Sequence, residues 1–147
     1  MLLISHRGNL SGKNPNKENA PYYINAALEK GYDVEIDVWW HNKNFYLGHD
    51  EPMYKVEKKY LQNYKLWCHA KNIEAILQMR ENDIHYFWHQ EDKITLTSKN
   101  YIWAYPGSQP IENSIAVLPE IYKEDVSKCI GICSDDIINY KGEINEK

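Results

Sequence analysis

Short apolar runs recur along the chain, and the spacing of their hydrophobic positions predicts alternating strands and helices. The run Leu2–His6 is typical of a buried strand. The segment from about Ala20–Lys30 has helical spacing, with Asn19 placed to cap its start and Gly31 to end it. Asp33–Trp39 then has the pattern of a second strand. Strand, helix and strand in this order form a βαβ unit, so we expect the first two strands to be parallel.

Further strands and one more helix follow at short intervals. A helix is predicted over Ile73–Arg80, with Ile73, Ile76 and Leu77 on its buried face. Strands are predicted at Phe45–Leu47, Leu66–Lys71, His85–Trp88, Ile94–Thr97, Tyr101–Tyr105, Ile115–Leu118 and Cys129–Cys133. Several gaps between the later strands are too short for the helix that usually joins parallel strands. The pattern therefore predicts an α/β protein that lacks several outer helices in its second half.

The second strand carries two acidic residues on one face. Because side chains alternate along a strand, Val34, Ile36 and Val38 face one side of the sheet, where helices can cover them. Glu35 and Asp37 then face the other side together. Two neighbouring carboxylates repel each other and lose hydration if they are buried, so this pair needs a cation or basic partners.

The composition of the 147-residue chain narrows the class of protein. Hydrophobic residues make up 43% and charged residues 26%, which is ordinary for one folded domain over 1–147. The net charge of −4 argues against an electrostatic grip on nucleic acid. No apolar run approaches the roughly 18 residues of a membrane span, and the amino terminus lacks the basic flank of a signal peptide. Three scattered cysteines suit a reducing compartment, so we expect a cytoplasmic domain.

Chemically active side chains cluster at the carboxyl ends of the first predicted strands. The clusters are His6-Arg7-Gly8, Glu35-Ile36-Asp37, His49-Asp50 and His69-Ala70-Lys71, and Glu18-Asn19 precedes the first helix. Glu35 and Asp37 offer hard oxygen ligands for Mg²⁺, Mn²⁺ or Ca²⁺, and Arg7 offers a bidentate donor for phosphate. Histidine has an ordinary pKa near ~6.5, so His6 and His49 can serve as acid and base. Together these groups could stabilise developing negative charge and supply a general acid and a general base.

In their order and approximate spacing, these motifs resemble those of the glycerophosphodiester phosphodiesterase family, within the phospholipase C-like phosphodiesterases. The matching motifs are His6-Arg7-Gly8, Glu18-Asn19, Glu35-x-Asp37 and His49-Asp50, and the stretch 130–135 is similar to the family's last strand. The resemblance implies a TIM-type barrel with its site at the carboxyl ends of the strands. It also implies that His6 and His49 are the acid–base pair and that Glu35 and Asp37 are metal ligands.

The chain departs from that family in two ways. Where the family has an acidic metal ligand two residues before a lysine, this chain has His69 before Lys71. His69 is then a candidate nitrogen ligand that favours a softer metal than Mg²⁺, or a sign of a weakened metal site. Lys71 either binds phosphate or only neutralises the carboxylate pair. The chain is also far shorter than the roughly 250 residues of a typical barrel, so we expect a reduced barrel.

The expected function is a metal-dependent phosphodiesterase that acts on a small glycerol- or sugar-linked phosphodiester, with Mg²⁺ or alternatively Mn²⁺ or Ca²⁺. A substrate hydroxyl as nucleophile would give a cyclic phosphate instead of a hydrolysis product, and a lyase or transferase acting on a sugar phosphate is a further alternative. The alternative from another class is an inactive barrel that binds a phosphorylated sugar or a partner protein. Strand faces left bare by the missing helices need a cover, for which a partner protein or a second copy of the chain is a candidate.

Other residues have weaker claims to the site. Glu120 and Asp135 come at the ends of late strands, where barrel sites are built. Either Trp88 or His89 is a candidate for the pocket wall. Tryptophans 39, 67 and 103 could stack on a sugar or base, although aromatic strand residues usually belong to the core.

Overall fold

A computed structural model describes residues 1–145, and within them a single ten-stranded sheet forms the centre of the molecule. The strands are β1 (Leu2–His6), β2 (Asp33–His41), β3 (Asn44–Leu47), β4 (Tyr54–Val56), β5 (Leu66–Ala70), β6 (Tyr86–Trp88), β7 (Ile94–Leu96), β8 (Ile102–Ala104), β9 (Ser114–Val117) and β10 (Gly131–Ser134). The α-helices are α1 (Pro21–Glu29), α2 (Lys58–Leu61), α3 (Ile73–Arg80) and α4 (Ile137–Asn145), and Pro119–Ile121 forms a 3₁₀ turn.

The sheet is largely parallel and curls on itself. Parallel pairing runs through β6, β5, β2, β1, β10, β9 and β8 in that order. The hairpin β3–β4 continues from β2 in antiparallel fashion, and β7 pairs antiparallel with β8. The two ends of the curl meet where the Ser98 amide donates to the Tyr86 carbonyl at 2.7 Å and the Thr95 hydroxyl donates to the Trp88 carbonyl at 3.0 Å. The predicted α/β class and the parallel β1–β2 pair are therefore confirmed.

The inside of the curl is filled with apolar side chains from six strands. These residues are Ile4, Trp67, Phe87, Trp103, Ile115, Val117 and Cys133. Phe87 and Trp103 pack at 4.7 Å between ring centroids, and Trp67 and Trp103 at 5.7 Å. Burying a large side chain of this kind stabilises the fold by roughly 1.5–3 kcal/mol. This core forms a floor beneath the carboxyl ends of the parallel strands.

Helices cover only part of the outer face of the sheet. Helix α1 buries Ile24 and Ala27 in the cluster that contains Val34, Ile36 and Val38 of β2, as the alternation predicted. Helix α4 packs against β1 and β10. Between β6 and β10 the described chain contains no α-helix, which confirms the expected loss of outer helices in the second half.

Loops and turns take over the covering role beside β9. Ala104 and Ala116 are buried, and the Gln109 amide donates to the Ser114 hydroxyl at 3.0 Å. Strand β7 is less protected, since Ile94 and Leu96 are 49% and 63% exposed. A second copy as the cover for such faces stays a prediction. No helix within residues 1–145 combines the length and the apolar character needed to cross a bilayer.

The predicted buried face of α3 is wrong at two of its three positions. Ile73 and Leu77 are exposed, whereas Ala75 and Met79 are buried. The cause lies in Asn72, the cap of α3, whose side chain accepts from the Ala75 amide and also bonds to the Trp40 backbone on β2. These bonds fix the rotation of the helix about its axis against the sheet.

The predicted cap of α1 is also wrong. The cap residue is Ala20, which has no side chain able to accept a hydrogen bond. Asn19 instead adopts a left-handed conformation with φ 69° and directs its amide to Asp37. Asparagine tolerates this conformation better than most residues. The residue that resembled a helix cap therefore holds Asp37, a candidate site residue, instead of the helix end.

Candidate active site

The residues predicted for the site converge at the carboxyl edge of the parallel strands. His6 ends β1, Arg7 follows it, Glu35 and Asp37 lie on β2, His49 follows β3, His69 lies on β5 and Lys71 comes just after β5. Strand register brings them side by side, because His6 pairs with Glu35 and Asp37 pairs with His69. Lys71 lies beyond the strand rather than within it, which corrects the predicted end of β5.

The two carboxylates of β2 are buried at the centre of this edge. Glu35 is 3% exposed and Asp37 is fully buried. Burial raises the pKa of Glu35, and the charge of Asp37 raises it further. Burial would also raise the pKa of Asp37, but the neighbouring His49 imidazole and the charge of the Arg7 guanidinium hold it well below its usual range. Asp37 is therefore the permanent negative charge of the pair.

The carboxylates and His69 fit a divalent metal ion. Glu35, Asp37 and His69 each offer a ligand atom, and these atoms lie within 4.8 Å of one another. Glu35 Oε1 and Asp37 Oδ1 are buried without a hydrogen-bond partner. Buried unpaired carboxylate oxygens are costly, and a cation between them would remove that cost. This observation favours a metal over a purely structural role for the pair.

Four contacts orient the imidazole of His69. Its Nδ1 lies 3.2 Å from Asp37 Oδ1 and 3.8 Å from Glu35 Oε2. Its Nε2 lies 3.0 Å from the backbone carbonyl of His89. Its ring stacks on Phe87 with the centroids 5.0 Å apart and the planes 10° apart. The ring is held so that one nitrogen faces the carboxylates.

A sharp turn after β1 places Arg7 over the site. Arg7 and Gly8 both have positive φ, at 59° and 94°. A Cβ on Gly8 would lie 2.6 Å from the Tyr23 ring, so the turn has no room for a side chain there. Arg7 Nη1 donates to Glu18 at 3.2 Å, and Arg7 Nε lies 3.2 Å from Asp37 Oδ2. The two carboxylates therefore hold the Arg7 guanidinium in a fixed position at the site.

The Glu18-Asn19 pair holds both Arg7 and Asp37. Glu18 accepts from Arg7 and from the Asn14 amide at 3.0 Å. The Asn19 side chain donates to Asp37 Oδ2 and accepts from the Asp37 amide, each at 2.9 Å. The pair thus fixes the orientation of Asp37, a candidate metal ligand, and of Arg7, a candidate phosphate-binding residue.

His6 is oriented by Asp135, which follows β10. His6 Nδ1 lies 2.7 Å from Asp135 Oδ1, which also accepts from the Asn9 amide at 2.9 Å. His6 Nε2 lies 3.8 Å from Glu35 Oε1, so this nitrogen is on the side of the carboxylates. Burial lowers the pKa of His6, but the bond to Asp135 and the charge of Glu35 outweigh burial and raise it. Asp135 therefore belongs to the site as the partner that orients His6.

His49 approaches the site from the loop after β3. Its Nδ1 lies 3.5 Å from Asp37 Oδ2, and its side chain is 45% exposed. Gly48 precedes it, and a Cβ there would lie 2.0 Å from the Glu51 carbonyl oxygen. The Trp39 indole donates to the Gly48 carbonyl at 2.7 Å. Trp39 thus supports the His49 loop instead of lining a pocket.

Two cavities of about 500 Å³ and about 370 Å³ open at this edge. Their walls share His6, Arg7, His49 and Leu118, so they are two lobes of one cleft. The smaller lobe, which we call the metal lobe, is also lined by Glu35, His69, Lys71, His89, Gln90, Trp103, Tyr105 and Val117. The larger lobe is also lined by Lys13, Pro15, Glu18, Asn19, Asp50, Glu51, Met53 and Asp135.

The structure separates the residues with weaker claims. His89 and Trp103 line the metal lobe. Trp88 instead packs against the apolar cluster between the helices and the outer face of the sheet. Trp67 lies in the inner core and donates to Asp33 at 2.9 Å. Glu120 accepts from Ser134 and Tyr140 and lines neither lobe.

Sequence reasoning missed three supporting contacts of the site. These are the Asp135–His6 pair, the clamp of Asn19 on Asp37 and the His89 carbonyl behind His69. The position of Asp135 directly after the last strand was a usable signal for the first contact. A backbone carbonyl leaves no signal in a sequence.

Comparison with known proteins found no matching family model, no matching curated protein and no matching solved structure.

Proposed function

We propose that this chain is a metal-dependent phosphodiesterase that cleaves a small glycerol- or sugar-linked phosphodiester. The observation that carries the proposal is the placement of the two histidines. His6 lies beside Glu35 and His49 lies beside Asp37, so each imidazole contacts a different member of the buried carboxylate pair. Both imidazoles line both lobes of the cleft, as does the Arg7 guanidinium.

The proposed scaffold is a shortened TIM-type barrel, similar to that of the glycerophosphodiester phosphodiesterase family. Its support is the order of the parallel strands around the curl and the contact between β6 and β7 at its two ends. Sites in TIM barrels lie at the carboxyl ends of the strands, which is where the cleft opens here. Each of the motifs that resemble that family contributes at least one residue to the lining of this cleft.

Glu35, Asp37 and His69 would hold the divalent metal. Their support is the burial of the group and the two carboxylate oxygens without hydrogen-bond partners. A bound divalent cation supplies charge stabilisation to the non-bridging oxygens of a phosphodiester. The Asn19 amide keeps Asp37 in place for this role through its two bonds to that residue.

His6 and His49 would move the protons of the reaction. His6 Nδ1 donates a hydrogen bond to the Asp135 carboxylate, which leaves Nε2 as the nitrogen that exchanges a proton on the cleft side. His49 stands at the opposite carboxylate on a more exposed loop, where it can serve the second alcohol oxygen. One imidazole removes the proton of the attacking hydroxyl and the other protonates the leaving alkoxide.

Arg7 and Lys71 would bind the phosphate. Arg7 is positioned by Glu18 and Asp37, and its remaining N–H groups are available for phosphate oxygens. Lys71 lines the metal lobe, and its amide donates to the Val38 carbonyl at 2.8 Å, which fixes its backbone beside β2. The lobes are large enough for a small ligand, which agrees with a diester of glycerol or a sugar.

The test is phosphorus NMR of the purified protein with a panel of glycerophosphodiesters, nucleotide diesters and lysophospholipids. Each diester is incubated with Mg²⁺, Mn²⁺, Ca²⁺, Co²⁺ or Zn²⁺. We expect a new monoester or cyclic phosphate signal, and we expect His6→Ala to slow its appearance by roughly 10²–10⁴-fold. His41→Ala is the matched control, since His41 is an exposed histidine at the far end of β2.

The identity of the product decides between hydrolysis and cyclic phosphate formation. If every diester stays intact with every metal, the phosphodiesterase proposal is wrong. Diester binding that His6→Ala leaves unchanged would then support an inactive binding barrel.

A further inference from the structure

We infer that His69 makes this site selective for a transition metal such as Co²⁺ or Zn²⁺ over Mg²⁺ and Ca²⁺, with Nδ1 as the metal-binding atom. The inference rests on the proposed function in that it concerns the same metal site. It goes beyond that function by naming the class of metal and the residue that determines the choice.

The contact with His89 identifies which nitrogen of His69 carries a proton. Nε2 lies 3.0 Å from the His89 backbone carbonyl, and a carbonyl oxygen can only accept a hydrogen bond. Nε2 therefore carries the proton in this bond. In the neutral ring, Nδ1 then has its lone pair on the side of the carboxylates.

In this neutral ring, Nδ1 carries no proton that it could donate to the carboxylates. Nδ1 lies 3.2 Å from Asp37 Oδ1, yet this oxygen has no hydrogen-bond partner. Glu35 Oε1 is likewise buried and unpartnered. A nitrogen and two carboxylate groups thus converge without a hydrogen bond between them. Such a group of buried electron-pair donors is satisfied by a cation that all three can bind.

The position of the nitrogen ligand is fixed before any metal binds. The His69 ring stacks on Phe87, and the side chain is only 12% exposed. The His89 ring stacks on Tyr105 with the centroids 3.5 Å apart, which holds the backbone whose carbonyl accepts from His69. A hydrogen bond to the second ring nitrogen orients metal-binding histidines in general and raises their basicity.

The donor set explains the choice of metal. Mg²⁺ and Ca²⁺ prefer oxygen ligands, and imidazole nitrogen suits Zn²⁺ and its first-row neighbours better. A site of two carboxylates and one imidazole also has one negative charge less than a site of three carboxylates. The lower charge weakens the binding of every divalent cation, and the nitrogen ligand offsets that loss for Co²⁺ or Zn²⁺ but not for Mg²⁺.

Calorimetric titration of the metal-free protein with Co²⁺, Zn²⁺ and Mg²⁺ tests this selectivity. We expect Co²⁺ to bind at least about 100-fold more tightly than Mg²⁺. His69→Glu, which replaces the nitrogen by a carboxylate oxygen, should reduce that ratio by roughly 10–100-fold. His41→Glu makes the same change of charge at an exposed position of β2 and should leave the ratio unchanged.

Nitrogen-15 NMR of the histidine rings provides a second readout that needs no variant. On addition of Zn²⁺ we expect a coordination shift at Nδ1 of His69 and retention of its Nε2 proton. The inference is overturned if Mg²⁺ binds as tightly as Co²⁺, if a folded His69→Glu variant keeps the ratio, or if Zn²⁺ shifts no ring nitrogen of His69.

Neither measurement uses a diester, so the two proposals can fail separately. A protein that shows this selectivity and cleaves no diester would keep the metal assignment and lose the phosphodiesterase function. A protein that cleaves diesters and prefers Mg²⁺ in calorimetry would keep the phosphodiesterase function and lose the inferred metal selectivity.

Discussion

The carboxylate of Asp135 decides which nitrogen of His6 faces the cleft. With Nδ1 bonded to Asp135 at 2.7 Å, the ring offers Nε2 toward Glu35. Asn9 donates to the same carboxylate oxygen, which restricts the rotation of Asp135. Because both partners are largely buried, water could not readily replace the bond between His6 and Asp135 if it were removed. Asp135 is therefore a positioning residue for the proposed acid–base pair.

Replacing Asp135 by asparagine should slow catalysis while the other site residues keep their positions. An amide accepts the His6 Nδ1 proton less strongly than a carboxylate, so the preferred ring orientation is lost. We expect Asp135→Asn to lower kcat for the diester by roughly 10–100-fold. We also expect it to remove the low-field proton resonance of the His6 Nδ1–H bond, measured by proton NMR.

Asp136→Asn is the matched control for this prediction. Asp136 is the next residue, and its carboxylate accepts from the Asn139 side chain at the start of α4. Equal losses of kcat in both variants, or an unchanged His6 resonance in Asp135→Asn, would show that Asp135 does not position His6.

At the residue scale, sequence patterns located the reactive groups but not the contacts that orient them. Glu35 and Asp37 were predictable because alternation along one strand places them together. The bond between His6 and Asp135 joins residues 129 positions apart. It depends on β1 and β10 being neighbours in the curled sheet, and that pairing is a property of the whole fold.

The β3–β4 loop is the element that delivers His49. Its first residue, Gly48, has φ 156° and lies against the Glu51 carbonyl. The Trp39 indole holds the Gly48 carbonyl, which ties the loop to β2. The position of His49 relative to Asp37 therefore depends on a close backbone approach that only glycine permits.

Gly48→Ala should displace this loop. The new Cβ would lie 2.0 Å from the Glu51 carbonyl oxygen, so the backbone must move. We expect a loss of roughly 2–4 kcal/mol in the free energy of unfolding, measured by urea denaturation. We also expect diester turnover to fall, since His49 moves with the loop.

Gly31→Ala is the control, because Gly31 has φ 94° and a Cβ there meets nothing within 4 Å. Its expected cost is only the left-handed backbone strain of about 1–2 kcal/mol, with turnover unchanged. If Gly48→Ala costs no more than Gly31→Ala and leaves turnover unchanged, the close approach does not determine the position of His49.

At the scale of elements, helical and strand periodicity predicted most segments and misjudged how they face their neighbours. The face of α3 was wrong because Asn72 fixes the helix through the Trp40 backbone, a contact between distant segments. Strand β4, a three-residue strand that follows a proline-containing loop, was missed. Such short strands exist only by pairing with a neighbour, here β3.

At the scale of the molecule, the sequence predicted a parallel sheet with few helices in the second half of the chain. The structure contains such a sheet. The curl was expected only from the resemblance to a barrel family, because the strand pattern alone does not indicate it. It depends on the Ser98 and Thr95 contacts with β6, which are made by residues at the edge of an exposed strand. The same edge brings Thr97 to His85, a buried histidine that plays no part in the proposed reaction.

His85 packs in the lower part of the curl, where its Nε2 lies 2.8 Å from the Thr97 hydroxyl. Its ring is 4.4 Å from that of Trp67 and 5.8 Å from that of Tyr101, measured between centroids. Burial, together with the charge of Lys99, lowers the pKa of His85 from 6.5 to about 4. The folded protein thus keeps this ring neutral over a range in which the unfolded chain protonates it.

This difference predicts a loss of stability in mild acid. Above pH 6.5 the ring is neutral in both states, so its titration has no effect on stability. Between pH 6.5 and 4 the unfolded chain binds a proton that the folded protein excludes, and the free energy of unfolding falls with pH. The contribution reaches about 3 kcal/mol near pH 4.

Urea denaturation at a series of pH values should show this decline in the wild type and in His41→Gln, an exposed control, but much less in His85→Gln. Parallel curves for all three proteins would mean that His85 titrates normally in the folded state.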